Sequence, residues 1–124
     1  MGFKVEVDLS RRLLQLSYAG VIGPEEARRC CEEVQTRLPD LESGFRLLTD
    51  LTRLESMEPS CALYMKRIMD LCDAKGVALV VRIISDSTKD IGFNIMSLFH
   101  YTHDVPIVTC SSQDEAENAL APGL

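Results

Sequence analysis

The chain has 124 residues, 46% of them apolar and 26% charged, with only seven glycines and five prolines. That is enough to bury one continuous core without disulfide or metal support, and it excludes a disordered or fibrous chain and argues for one domain over residues 1–124. Net charge is −6, from thirteen Lys and Arg against nineteen Asp and Glu, and no basic run offsets it, which works against nucleic acid or an anionic lipid surface as partner.

Phe3-Lys4-Val5-Glu6-Val7 alternates apolar and polar residues and carries charge, so it predicts a strand and not a signal or transit peptide. After a polar turn over Asp8 to Arg12, Leu14 to Tyr18 alternates again, predicting an antiparallel hairpin that Ala19-Gly20 closes. Gly23-Pro24-Glu25-Glu26 is a helix start, with proline at the first position and acids at the positive end of the dipole. Ala27, Cys31, Val34 and Leu38 form its buried stripe, and Pro39 ends it.

Phe45 to Asp50 predicts the next strand, and a helix follows from about Pro59 to Lys75, burying Cys61, Met65, Ile68 and Cys72, with Gly76 closing it. Val77 to Ile84 is almost continuously apolar and β-branched, as a central strand covered on both faces must be. Its apolar run breaks at Arg82, far short of a bilayer span, so no stable membrane insertion is expected. Ile91 to Thr102 predicts a further helix, Pro106 to Cys110 a last strand, and the capping box Ser112-Gln113-Asp114-Glu115 opens a last helix through Leu120. Strands alternating with helices after a hairpin predict an α/β fold. Its single mixed, mainly parallel sheet of about five strands would carry four helices on right-handed crossovers.

Catalytic chemistry finds little purchase. Cys30, Cys31, Cys61, Cys72 and Cys110 form an odd set with no C-x-x-C pair, which predicts free thiols in a reducing compartment and hence a cytoplasmic protein. His100 and His103 lack a Glu or Cys at ligand spacing, and neither a phosphate-binding glycine loop nor a G-x-S-x-G is present. No catalytic residue, metal or cofactor is therefore expected. On the Ile91–Thr102 helix, Ile95, Leu98, Phe99 and Thr102 share one stripe with Ile91, and Phe93, Met96 and His100 fall opposite with no charged residue among them. Two readings fit that uncharged face: burial by a neighbouring segment, or a surface for a partner or ligand.

The stretch Asp50-Leu51-Thr52-Arg53-Leu54-Glu55-Ser56-Met57-Glu58-Pro59-Ser60-Cys61 resembles the strand-to-helix signature of STAS domains of the anti-sigma-factor-antagonist type, of shape D-L-S-x-V-x-F-[IM]-D-S-S-G. Asp50 falls on the first aspartate, Met57 on the apolar position, Glu58 on the second aspartate and Ser60 on the second serine. Pro59 and Cys61 replace the first serine and the glycine, and Ser56 replaces an aromatic, so the chain is similar to a divergent, STAS-like branch. The resemblance implies a non-enzymatic regulatory domain that binds a protein partner or a second copy of itself. In it Ser60 is the candidate phosphorylation switch, with Glu58 and Asp50 as its accompanying acids. Phe93, Met96, His100 and Met57 are the candidate partner or ligand surface. The wider fold group implies an alternative, a carrier or sensor of a small lipophilic ligand, with Met57, Met65, Met69 and Met96 as adaptable lining. Beside the switch stands a purely structural reading of the same residues: Glu58 near a helix cap, Pro59 presetting φ, Ser60 satisfying a stray amide.

Overall fold

A computed structural model describes residues 2–85 and 105–121 of the chain. Strands β1 (Phe3–Asp8), β2 (Leu13–Ile22), β3 (Arg46–Met57), β4 (Leu79–Ile83) and β5 (Ile107–Cys110) form one sheet in the order β1-β2-β3-β4-β5. β1 runs antiparallel to β2, and every later pairing is parallel. The expected mixed, mainly parallel sheet is therefore present, with the apolar β4 inside it. Helices α1 (Pro24–Arg37), α2 (Ala62–Lys75) and α3 (Gln113–Leu120) are the three α-helices among the described residues. The fourth expected helix, Ile91 to Thr102, lies outside them.

Local chemistry explains the turns. The Asp8 carboxylate accepts from Ser10 Oγ at 2.7 Å and from the Arg11 N–H at 3.2 Å, fixing the β1–β2 turn. Gly76, in the left-handed region at φ 94, ends α2, and its N–H returns to Cys72 and Asp73. Ser112 Oγ accepts the Glu115 N–H at 3.2 Å to open α3, while the Glu115 carboxylate takes the Ser111 hydroxyl at 2.6 Å.

Two strands are longer than their sequence suggests. β2 does not close at Ala19-Gly20 but continues to Ile22, and β3 continues past Asp50 to Met57. The register explains both: Ser17 pairs Asp50 while Ala19 pairs Arg53, and Gly20 pairs Leu54 while Val21 pairs Ser56. Each step gives β3 one extra residue, a bulge that bends and twists the strand without ending it. Gly20, at φ 73, serves the second bulge instead of a turn.

The two faces of the sheet are covered unequally. α1 and α2 pack on one face, where Ala27, Cys30, Cys31, Val34, Met65, Ile68 and Cys72 meet Leu14, Leu16, Tyr18, Leu47, Leu51, Leu54 and Val80. α3 covers part of the other, where Ala116 and Leu120 meet Leu13, Leu48, Val81, Ile83 and Cys110.

Candidate functional site

The junction between β3 and α2 begins at Glu58, whose extended backbone (φ −64, ψ 143) leads into the short 3-10 turn Pro59–Cys61. Pro59 occupies the first helical position, as expected, because its fixed φ suits a helix start and its missing N–H costs nothing there. The end of β2 clamps the turn: the Ile22 carbonyl accepts both the Glu58 N–H at 3.0 Å and the Cys61 thiol at 3.5 Å. Cys61 is fully buried, so the residue standing where the STAS signature has glycine anchors this turn in the core.

Two helix starts sit side by side here. Glu58 lies so close to Gly23, the cap of α1, that a Cβ on Gly23 would meet Glu58 Oε2 at 2.8 Å. Both starts lie at the carboxyl ends of β2 and β3, where α/β sheets commonly bind their ligands.

Ser60 is exposed in this first turn, and among the described residues no hydrogen bond engages its hydroxyl. The expectation that Ser60 satisfies a stray amide is not met, because the Cys61 and Ala62 N–H groups turn to the carbonyls of Glu58 and Pro59 instead. Leu63, one turn on, is 69% exposed.

The remaining candidates are distributed differently. Asp50 stands seven residues before the end of β3, roughly 20 Å along the strand from the junction, and lines a basin on the α3 side of the sheet. The structure thus brings Glu58 and Ser60 together and leaves Asp50 elsewhere. The Asp50 Oδ1 accepts from the Thr52 N–H at 2.9 Å and the Thr52 hydroxyl at 2.7 Å, which supplies the amide that the first bulge takes out of the ladder. Met57, Met65 and Met69 line one apolar cavity of about 50 Å3 between the sheet and α2, together with Leu16, Tyr18 and Ile68. Phe93, Met96 and His100 lie outside the described residues.

All five thiols are free and buried, Cys30 included. Burial pushes the Cys30 thiol up to about 11, although the Tyr18 hydroxyl 3.6 Å away opposes this. Burial likewise pushes Cys72 up to about 12. Neither forms the exposed thiolate that a nucleophile requires. Among the described residues no cluster of three or more His, Cys, Asp or Glu side chains could hold a metal, and no helix is long and apolar enough to cross a membrane.

Sequence reasoning missed the basin. It measures about 680 Å3 and is lined by Lys4, Glu6, Gln15, Ser17, Asp50 and Arg53, among others. Its signal was present in the alternation of β1 and β2, which places Lys4, Glu6, Gln15 and Ser17 on one face.

No protein-family model matches the chain, nor does any curated protein. Solved structures do. A protein of the DUF3478 family from Shewanella loihica PV-4, described as having a SpoIIAA-like fold, is similar with a TM-score of 0.72 and 15% identity, over 97% of this chain and 94% of that one. The anti-sigma factor antagonist SpoIIAA in its unphosphorylated form is similar with a TM-score of 0.60 and 13% identity, over 96% of this chain and 97% of that one. The chain therefore has a SpoIIAA-like, STAS-type α/β fold.

Proposed function

We infer that this domain is a non-enzymatic regulatory module that binds a protein partner through the β3–α2 junction and is switched at Ser60. The observation that carries the reading is the Ser60 hydroxyl, exposed in the first turn before α2 and not spent on capping. A phosphate there would gain about 0.3–1 kcal/mol from the helix terminus, against repulsion from the adjacent Glu58. One fold relative is an anti-sigma factor antagonist solved in its unphosphorylated form, which supports regulation over catalysis. Phe93, Met96 and His100, taken from the sequence pattern alone, are the further candidate contacts for the partner or for a second copy of this chain. Free, buried thiols favour a cytoplasmic setting.

The test compares Ser60→Asp and Ser60→Ala with wild type in quantitative partner capture, in sedimentation for self-association, and in thermal unfolding. Ser60→Asp is expected to change one of the two affinities by about tenfold, ~1.4 kcal/mol, with the melting temperature nearly unchanged. If both variants bind as wild type does, the switch at Ser60 is wrong.

A second reading, a carrier or sensor of a small lipophilic ligand, is favoured by the convergence of Met57, Met65 and Met69 on one apolar cavity. Its roughly 50 Å3 is well below the ~300–1,000 Å3 typical of ligand sites, so loading would require α2 to move off the sheet. Native mass spectrometry of protein purified from cells separates the readings: a retained small molecule favours the carrier, an added phosphate the switch.

A further inference from the structure

The basin on the α3 side of the sheet is polar where the interior of an α/β sheet is ordinarily apolar. Strand register sets Lys4, Ser17 and Asp50 side by side in one row across β1, β2 and β3. The bulge after Asp50 brings Arg53 into the same basin. A solvated hairpin face accounts for the exposed Lys4 and Glu6, which pair with each other at 3.5 Å. It does not account for half-buried Ser17 and Asp50, which lie in the parallel β2–β3 pair.

Three groups there are left unspent. Asp50 engages Thr52 through Oδ1 alone. Its Oδ2, the Ser17 hydroxyl and the Arg53 guanidinium have no partner among the described residues, and Asp50 and Arg53 do not pair with each other. One unspent anion and one unspent cation thus face the same space, with a hydroxyl beside them.

We propose that this basin binds a small zwitterion of the α-amino acid type. Its carboxylate takes the forked guanidinium of Arg53, its ammonium takes Asp50 Oδ2, and Ser17 Oγ supplies a further hydrogen bond. The basin is open and measures about 680 Å3, so it leaves room for the side chain of any standard amino acid. A simple anion would answer Arg53 but not Asp50, and a chain of net charge −6 repels it. A simple cation would leave Arg53 unanswered. The proposal is independent of the Ser60 reading, which concerns the other end of β3.

Titration of the 15N-labelled full chain with each standard L-amino acid, followed by NMR, tests it, with acetate and methylammonium as half-ligands. At least one amino acid is expected to shift the Ser17, Asp50, Thr52 and Arg53 amides saturably, with each half-ligand weaker by about tenfold or more. Arg53→Ala should weaken binding by a similar factor, as should Asp50→Asn, which keeps an acceptor for Thr52. The proposal is overturned if no amino acid saturates these shifts below ~10 mM, if a half-ligand binds as well as the amino acid, or if Arg53→Ala binds like wild type.

Discussion

Burial of Tyr18, Cys30 and Cys72 against one another links the core between the sheet and α1–α2 to pH. In the unfolded chain the thiols ionise near their ordinary 9.0, whereas burial holds Cys30 to about 11 and Cys72 to about 12. Burial also raises the Tyr18 phenol well above its ordinary 10.0. The charged forms are disfavoured only in the folded state, so the unfolded chain loses protons first as pH rises. The stability these groups contribute is complete below about pH 9 and is lost as pH climbs towards 11 and 12. Urea midpoints should therefore be flat from neutrality to about pH 9 and fall above it, and the slope should flatten in Cys30→Ala with Cys72→Ala. Midpoints that stay constant through pH 11 would contradict this account.

At the scale of elements, β3 shows why part of the fold was legible and part was not. α1, α2 and α3 could be read because their signals are local: Pro24 at a first position, the stripe Cys61, Met65, Ile68 and Cys72, Gly76 at a left-handed stop, Ser112 at a cap. The far half of β3 hid itself because Leu51, Leu54 and Met57 recur every three residues, a spacing that matches neither a strand nor a helix. Each bulge adds one residue to a two-residue repeat, so all three side chains still face the helices. The same bulges concealed the site, since a contiguous motif from Asp50 to Ser60 suggests one cluster, while an extended strand separates its ends. Asp50 is what the first bulge depends on. Asp50→Ala leaves the half-buried Thr52 amide without its acceptor and should cost about 1–2 kcal/mol in chemical denaturation. Asp50→Asn retains an acceptor oxygen and should recover most of that loss. Equal stability of Asp50→Ala and wild type would show that water replaces the carboxylate freely.

At the scale of the whole molecule, the α3 face of the sheet depends on a short helix that is too small to hold by propensity alone. Its apolar contacts are Ala116 and Leu120 against Leu13, Leu48, Val81, Ile83 and Cys110. Its polar attachment comes from distant segments. Arg11 in the β1–β2 turn pairs with Glu117 at 2.8 Å, and the Arg46 guanidinium donates to the Leu120 carbonyl at the end of α3 and to the Arg11 carbonyl at 2.7 Å. Arg46 therefore joins the start of β3, the hairpin turn and the carboxyl end of α3, where a cation also meets the negative end of the helix dipole. The Arg11–Glu117 pair is exposed enough that water and salt screen it, and its loss should be nearly silent. Arg46 is half-buried and donates charged hydrogen bonds to two carbonyls, so Arg46→Ala should cost about 2 kcal/mol. Lysine lacks the fork that reaches both carbonyls at once, so Arg46→Lys should recover only part of this. Hydrogen exchange gives the discriminating measurement: the amides of α3 should exchange much faster in Arg46→Ala while those of α1 and α2 rise only with the global loss of stability. If α3 stays as protected as the rest of the molecule in that variant, its apolar contacts alone hold it, and Arg46 is a surface residue with two incidental bonds.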